Sequence, residues 1–141
     1  MHIPIQVIPL QPDGCHLMIT GNINGLKANI LLDTGASKTI MDVNRVSHYL
    51  GNPEIKAFDK PVMGMGNGKI ESWATKFSEF SLGALSLSDW PVVLVDLKPI
   101  NDSYAVYDLP RIDMVLGGDL LMHLKAVIDY QNKVFIINMK E

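Results

Sequence analysis

Asp33, Thr34 and Gly35 follow the apolar pair Leu31-Leu32 and precede Ala36 and Ser37. A carboxylate at the end of an apolar strand is costly to bury as an ion unless hydrogen-bond donors compensate it. The hydroxyls of Thr34 and Ser37 and the amides of Gly35 and Ala36 are near enough in sequence to help. Gly35 also permits a tight turn and close approach of a substrate or another backbone. Such a set suits an acid aimed into a cleft. The plainer alternative is an Asp at a turn or helix cap, with Ser37-Lys38-Thr39 as ordinary turn polarity.

The flanking elements decide how such an acid would be held. Cys15 to Thr20 predicts a strand, Gly21-Asn22-Ile23-Asn24-Gly25 carries two turn signals, and Leu26 to Leu32 returns. Ala28, Ile30 and Leu32 alternate with Lys27 and Asn29, so the return strand delivers Asp33 from a one-sided apolar face. Val43, Val46 and Leu50 predict a short helix over Asp42–Leu50, with Asp42 as its cap and Gly51-Asn52-Pro53 as its end. Lys60 to Met65 and Lys69 to Phe77 flank a hairpin turn at Gly66-Asn67-Gly68. Ser78 to Leu87 and Pro91 to Leu97 read as strands, and Asn101 to Arg111 as a polar, proline-containing loop. Met114 to Leu116 is a short strand ending at Gly117-Gly118, and Asp119 caps a brief helix through His123. Lys125 to Tyr130 and Lys133 to Met139 predict a last hairpin over Gln131-Asn132. The expectation is a mainly β, closed, barrel-like chain with one or two short helices. No repeat or linker interrupts it, so residues 1–141 are read as a single domain.

Leu-Leu-Asp-Thr-Gly-Ala-Ser at residues 31–37, preceded by a hairpin strand, resembles the active-site motif of retropepsin-like aspartic peptidases. Two further features follow in that family's order. Gly64-Met65-Gly66-Asn67-Gly68 is similar to its glycine-rich flap, and Val115-Leu116-Gly117 to its second signature, two apolar residues and a glycine. The resemblance covers about Cys15 to Met139. It implies a closed retropepsin-like (acid protease) β-barrel and an aspartic endopeptidase acting on a peptide or protein substrate, without cofactor. Retroviral members are shorter, so the additional residues are expected before Cys15 and around Asn101 to Arg111. Those members are sealed by interleaved terminal strands.

One carboxylate cannot be general base and general acid toward one amide at the same moment. Two at close range can, because like charges that near share one proton. Only one Asp-Thr-Gly is present, and Asp96, Asp113, Asp119 and Asp129 lack a Thr/Ser-Gly tail. The second carboxylate is therefore expected from Asp33 of an identical chain across a two-fold axis, in a homodimer. By resemblance, Thr34 bonds across that axis, Ser37 bonds the outer oxygen of Asp33, and Gly117 leaves room for the loop. Met65, Gly66 and Asn67 lie over the substrate. The alternative function is a non-catalytic retropepsin-like dimeric module for binding or assembly. A phosphotransferase Asp would need a larger α/β domain with further phosphate loops.

Composition sets the outer limits. The chain has 141 residues, 48% hydrophobic and 19% charged, with formal net charge −3. Nothing in it provides the basic footprint of a nucleic-acid partner. His2, His16, His48, His123 and Cys15 show no metal-ligand spacing, so no metal is expected. Cys15 reads as a buried structural thiol, and Trp73 and Trp90 as core. Gly64-x-Gly66-x-Gly68 lacks the Lys-Ser/Thr tail of a phosphate loop. No basic n-region opens the chain and no apolar run is long enough to span a bilayer, so a soluble, cytoplasmic protein without membrane attachment is expected.

Overall fold

The computed structural model describes residues 1–57 and 71–138. The flap positions Met65, Gly66 and Asn67, with the strand expected over Lys60–Met65, lie outside the described residues.

The central hairpin is β3 (Cys15–Ile23) and β4 (Leu26–Leu32). Asn24 and Gly25 join them with φ of 50° and 79°, the left-handed pair that a two-residue Asn-Gly turn supplies cheaply. The turn is tighter than the 21–25 span predicted. Gly21 belongs to β3, because β8 (Glu79–Leu82) lies so near that a Cβ there would sit 2.9 Å from the Ser81 carbonyl. The outer edge of β3 is shared between β2 (Gln6–Pro9) and β8.

Beyond β4 the order is set by one insertion. β11 (Met114–Leu116) runs parallel to β4, with Leu116 opposite Leu32, and antiparallel to β5 (Ile40–Asp42), with Met114 opposite Met41. It therefore lies between the strands that enter and leave the Asp33 loop. β10 (Pro91–Val95) runs parallel to β5, followed by β7 (Ser72–Lys76) and β6 (Lys56–Ala57). At the other end β9 (Leu85–Ser88) closes on β8. Among the described residues this path of nine strands, with β2 attached to β3 as the tenth of the sheet, is open, with β6 and β9 at its ends. A second sheet pairs β1 (His2–Pro4) with β13 (Val134–Ile136) and β13 with β12 (Val127–Asp129).

The large sheet is buried on both faces around the site. Leu32 joins Ile30, Met41, Leu94, Leu116 and Phe135 in one cluster. Its neighbour Leu31 joins Ile8, Met18, Ala36, Ile40, Val93, Tyr104 and Val115 in the other. Successive residues of a strand point to opposite sides, so Leu31-Leu32 anchors Asp33 in two cores at once.

Several local expectations are corrected. Asn101–Arg111 is not a loop throughout: α2 spans Lys98–Val106. Pro99 falls in its first turn, where a missing N–H costs nothing. Asn101 then ties the helix to Ile112, accepting from its amide at 2.7 Å and donating to its carbonyl at 2.9 Å. The segment reads polar because only its Tyr104 side is buried. Ser78–Leu87 is not one strand but the β8–β9 hairpin, reversed at Gly83 with φ 56°. Asp42 ends β5 and caps a 3-10 turn, Val43–Arg45, before α1 (Val46–Leu50). α3 spans Gly118–His123 with Gly117 as its cap residue, so Asp119 lies inside the helix. With α1, α2 and α3 among the described residues, the helical content exceeds the one or two short helices expected. Cys15 is exposed at the start of β3 rather than buried. Trp73 and Trp90 pack half-buried against the larger cluster.

Candidate active site

The Asp33 amide prolongs the β4–β11 ladder by one bond, donating to Leu116 O at 3.1 Å. The chain then turns sharply, with Ala36 N donating to Asp33 O at 3.2 Å. Inside that turn Gly35 N donates to Asp33 Oδ1 at 2.9 Å, so a backbone amide is the carboxylate's partner within the chain. Asp33 is half-buried, Thr34, Gly35 and Ser37 are exposed, and Ala36 is fully buried. The tip of the loop faces out while its base is rooted in the second cluster. Among the described residues no hydrogen bond joins the Ser37 hydroxyl to Asp33. The Ser37 main-chain carbonyl instead accepts from Asp119 N at 3.3 Å.

The base of the loop is clasped by the start of α3. Gly118 N donates to Ala36 O at 2.7 Å. A Cβ at Gly117 would lie 2.4 Å from Lys38 O and 2.9 Å from Ala36 O. Only glycine lets the two backbones approach so closely. Beneath them Thr39, fully buried, donates its hydroxyl to Asp119 Oδ1 at 2.7 Å and its amide to the same oxygen at 2.9 Å. The Thr39 hydroxyl in turn accepts from Gly117 N at 3.2 Å. Val93 N reaches Thr39 O at 3.1 Å and ties the loop to β10. These bonds fix the route of residues 33–39 without using the Asp33 carboxylate.

The Thr39–Asp119 clasp is the feature that sequence reasoning missed. Thr39 reads locally as turn polarity and Asp119 as a cap, and 80 residues separate them.

Four acids without a Thr/Ser-Gly tail have structural work. Asp113, 3% exposed, lies 3.4 Å from Arg45 Nε and 3.3 Å from Arg111 Nε, and accepts from Asn29 N at 2.9 Å. Asp42, buried, accepts from Asn44 and from Leu97 N. Asp96 accepts from Lys98 N and Asn44, and these bonds lower its pKa. Asp129 accepts from Asn132, with the same effect. Asp33 differs from these four: its carboxylate accepts from one local amide, with an exposed loop tip around it.

The histidines do not assemble. His2, His48 and His123 are exposed, and His123 packs its ring on Trp90. Among the described residues no cluster of three His, Cys, Asp or Glu is placed to hold a metal. His16 is different in position. It lies one residue before Leu17, which pairs with Leu32, so it adjoins Asp33 across the hairpin. Its Nδ1 is hydrogen-bonded to the Tyr104 hydroxyl, whose pKa is raised by burial. No helix among the described residues is long and apolar enough to cross a membrane.

Comparison with known proteins agrees with this geometry. A retropepsin-like aspartic protease from Rickettsia conorii superposes with TM-score 0.58 at 16% identity, covering 98% of this chain and 87% of that one. The retroviral protease-like domain of Ddi1 from Leishmania major gives TM-score 0.61 at 15% identity, covering 89% and 90%. The EIAV protease, in complex with an inhibitor, gives 0.58 at 17%, covering 86% and 99%. These likenesses establish the retropepsin-like fold. No curated protein matches by sequence. The aspartyl protease family profile does, over residues 19–120, a span that runs from within β3 through Asp33 and Gly117 to Leu120. The chain therefore belongs to the aspartyl protease family and has its retropepsin-like fold.

Proposed function

We propose that the protein is an aspartic endopeptidase whose catalytic dyad is Asp33 from each of two identical chains. The observation that carries this reading is the state of Asp33: a carboxylate at an outward-facing loop tip, bonded to Gly35 N, on a base clasped at Gly117 and Thr39. Rigid support with an uncommitted acid is the arrangement that positions a general base or acid.

In the dimer the two Asp33 carboxylates share one proton, because two negative charges that close cannot both ionise cheaply. The ionised member takes a proton from a water as it attacks the scissile carbonyl. The protonated member donates to the developing oxyanion and later to the leaving nitrogen. Thr34 of each chain bonds across the axis, and Met65, Gly66 and Asn67 cover the substrate and exclude water. The dyad titrates as a pair, so activity follows a bell-shaped pH profile belonging to both groups.

Asp33→Asn tests the reading. Cleavage of a peptide library should fall by at least about 10³-fold, while circular dichroism and sedimentation stay unchanged. Wild-type turnover by that variant would sink the mechanism. A wild-type chain that cleaves nothing across about pH 4 to 7, where such dyads work, would favour a non-catalytic dimeric module.

A further inference from the structure

Two segments lie outside the motif-bearing core: the residues before Cys15 and the stretch around Asn101–Arg111. They are far apart in sequence, yet they meet. Pro9 and Leu10, leaving β2, face Ser103, Tyr104, Tyr107 and Leu109 on and after α2, across an open groove of about 410 Å³. That volume falls within the range of ligand pockets. No residue lining it carries a charge.

The floor of the groove is linked to the candidate catalytic loop through buried packing. Tyr104 belongs to the same buried cluster as Leu31 and Ala36, which bracket Asp33 in sequence, and Leu10 and Leu109 pack against that cluster. Leu31 and Asp33 are two residues apart, so by strand alternation they share a side of the sheet. That is the side α2 covers. His16, the cross-hairpin neighbour of Asp33, is hydrogen-bonded to Tyr104 and fixes the wall of the groove relative to the site. The rim carries Tyr107, 63% exposed, an aromatic of the kind that anchors peptides at little entropic cost.

We propose that this groove holds a large apolar side chain of the peptide substrate, displaced along the chain from the scissile bond. The additional segments then set specificity, selecting peptides with an aromatic or branched aliphatic residue at one fixed distance from the cleaved amide. This rests on the reading of Asp33 as half of a peptidase site, and binding separates the two claims.

Full-length Asp33→Asn protein would be titrated by fluorescence anisotropy with short labelled peptides in which one Phe or Leu is walked through a Gly/Ser background. At one position the apolar residue should tighten binding about tenfold over serine. Ser103→Trp, filling the groove from an exposed position, should erase that preference. Tyr107→Ser, a rim change that leaves the core alone, should reduce it about threefold. Absence of any positional preference, or a preference that survives both changes, overturns the inference. If Ser103→Trp abolishes self-association while peptide preference persists, the groove is a contact between copies and the inference is likewise wrong. Cleavage of the same peptides by the wild-type chain reports on Asp33 alone. Its absence removes the peptidase reading, while the binding preference still decides the groove.

Discussion

Gly117 and Gly118 are neighbours with opposite tolerances. A methyl group at Gly117 would meet the Lys38 carbonyl at 2.4 Å, whereas at Gly118 the nearest atom is 3.6 Å away. Gly117→Ala should cost about 3 kcal/mol in urea unfolding, because two backbones must part. Gly118→Ala should be neutral or stabilising by about 0.5 kcal/mol, since it lies in α3 without crowding. Equal costs for the two would refute the close-approach account. Thr39→Val removes a buried hydroxyl that donates to Asp119 and accepts from Gly117 N. A loss of about 1–3 kcal/mol is expected by the same measurement, as two buried groups lose a partner. Gly117 was legible in the sequence because Val115-Leu116-Gly117 is a local pattern. Thr39 was not, since nothing in Ser37-Lys38-Thr39 distinguishes a turn residue from one side of a clasp with Asp119.

At the scale of elements, what could be read depended on how far each element's identity rests on its own residues. The β3–β4 hairpin was legible through Asn24-Gly25 and the alternation along β4, both local signals. α2 was not, because its polar sequence shows only one buried side chain, Tyr104, and its fixing bonds run to Ile112. Asn101→Ala should therefore lower stability by about 1–2 kcal/mol and loosen α2, seen as faster amide exchange at residues 98–106 with β3 and β4 unchanged. Two turns tie elements to pH. Asp96 is held below its ordinary value of 3.8 first by the Lys98 amide and then by Asn44; Asp129 is lowered first by the Asn132 amide. A lowered carboxyl stabilises the fold fully above its unfolded value and ceases to do so as pH falls through the folded one. Melting temperature should thus decline as pH drops from the ordinary 3.8 toward the lowered values. The decline should be shallower in Asp96→Asn and Asp129→Asn than in the wild type. An identical slope in all three would remove these turns from the account of acid sensitivity.

For the whole molecule, the proposed shared dyad implies mass action. Activity per chain should fall on dilution through the dimer dissociation constant, and full activity from a chain shown to be monomeric by sedimentation would refute a shared dyad. The terminal strands bear on how such a dimer is built. β1 pairs with β13 within the same chain, reinforced by Ile137 N donating to Met1 O at 3.0 Å. That edge of β13 is thus occupied in cis. The clasp at Thr39 has a consequence in time as well as in space. Asp33, Thr34 and Gly35 leave the ribosome long before β11 and Asp119 exist, and the loop has no floor until they do. A nascent chain, or one terminated before Asp119, displays the triplet on an unsupported loop, so the proposed site is withheld until Asp119 has been translated.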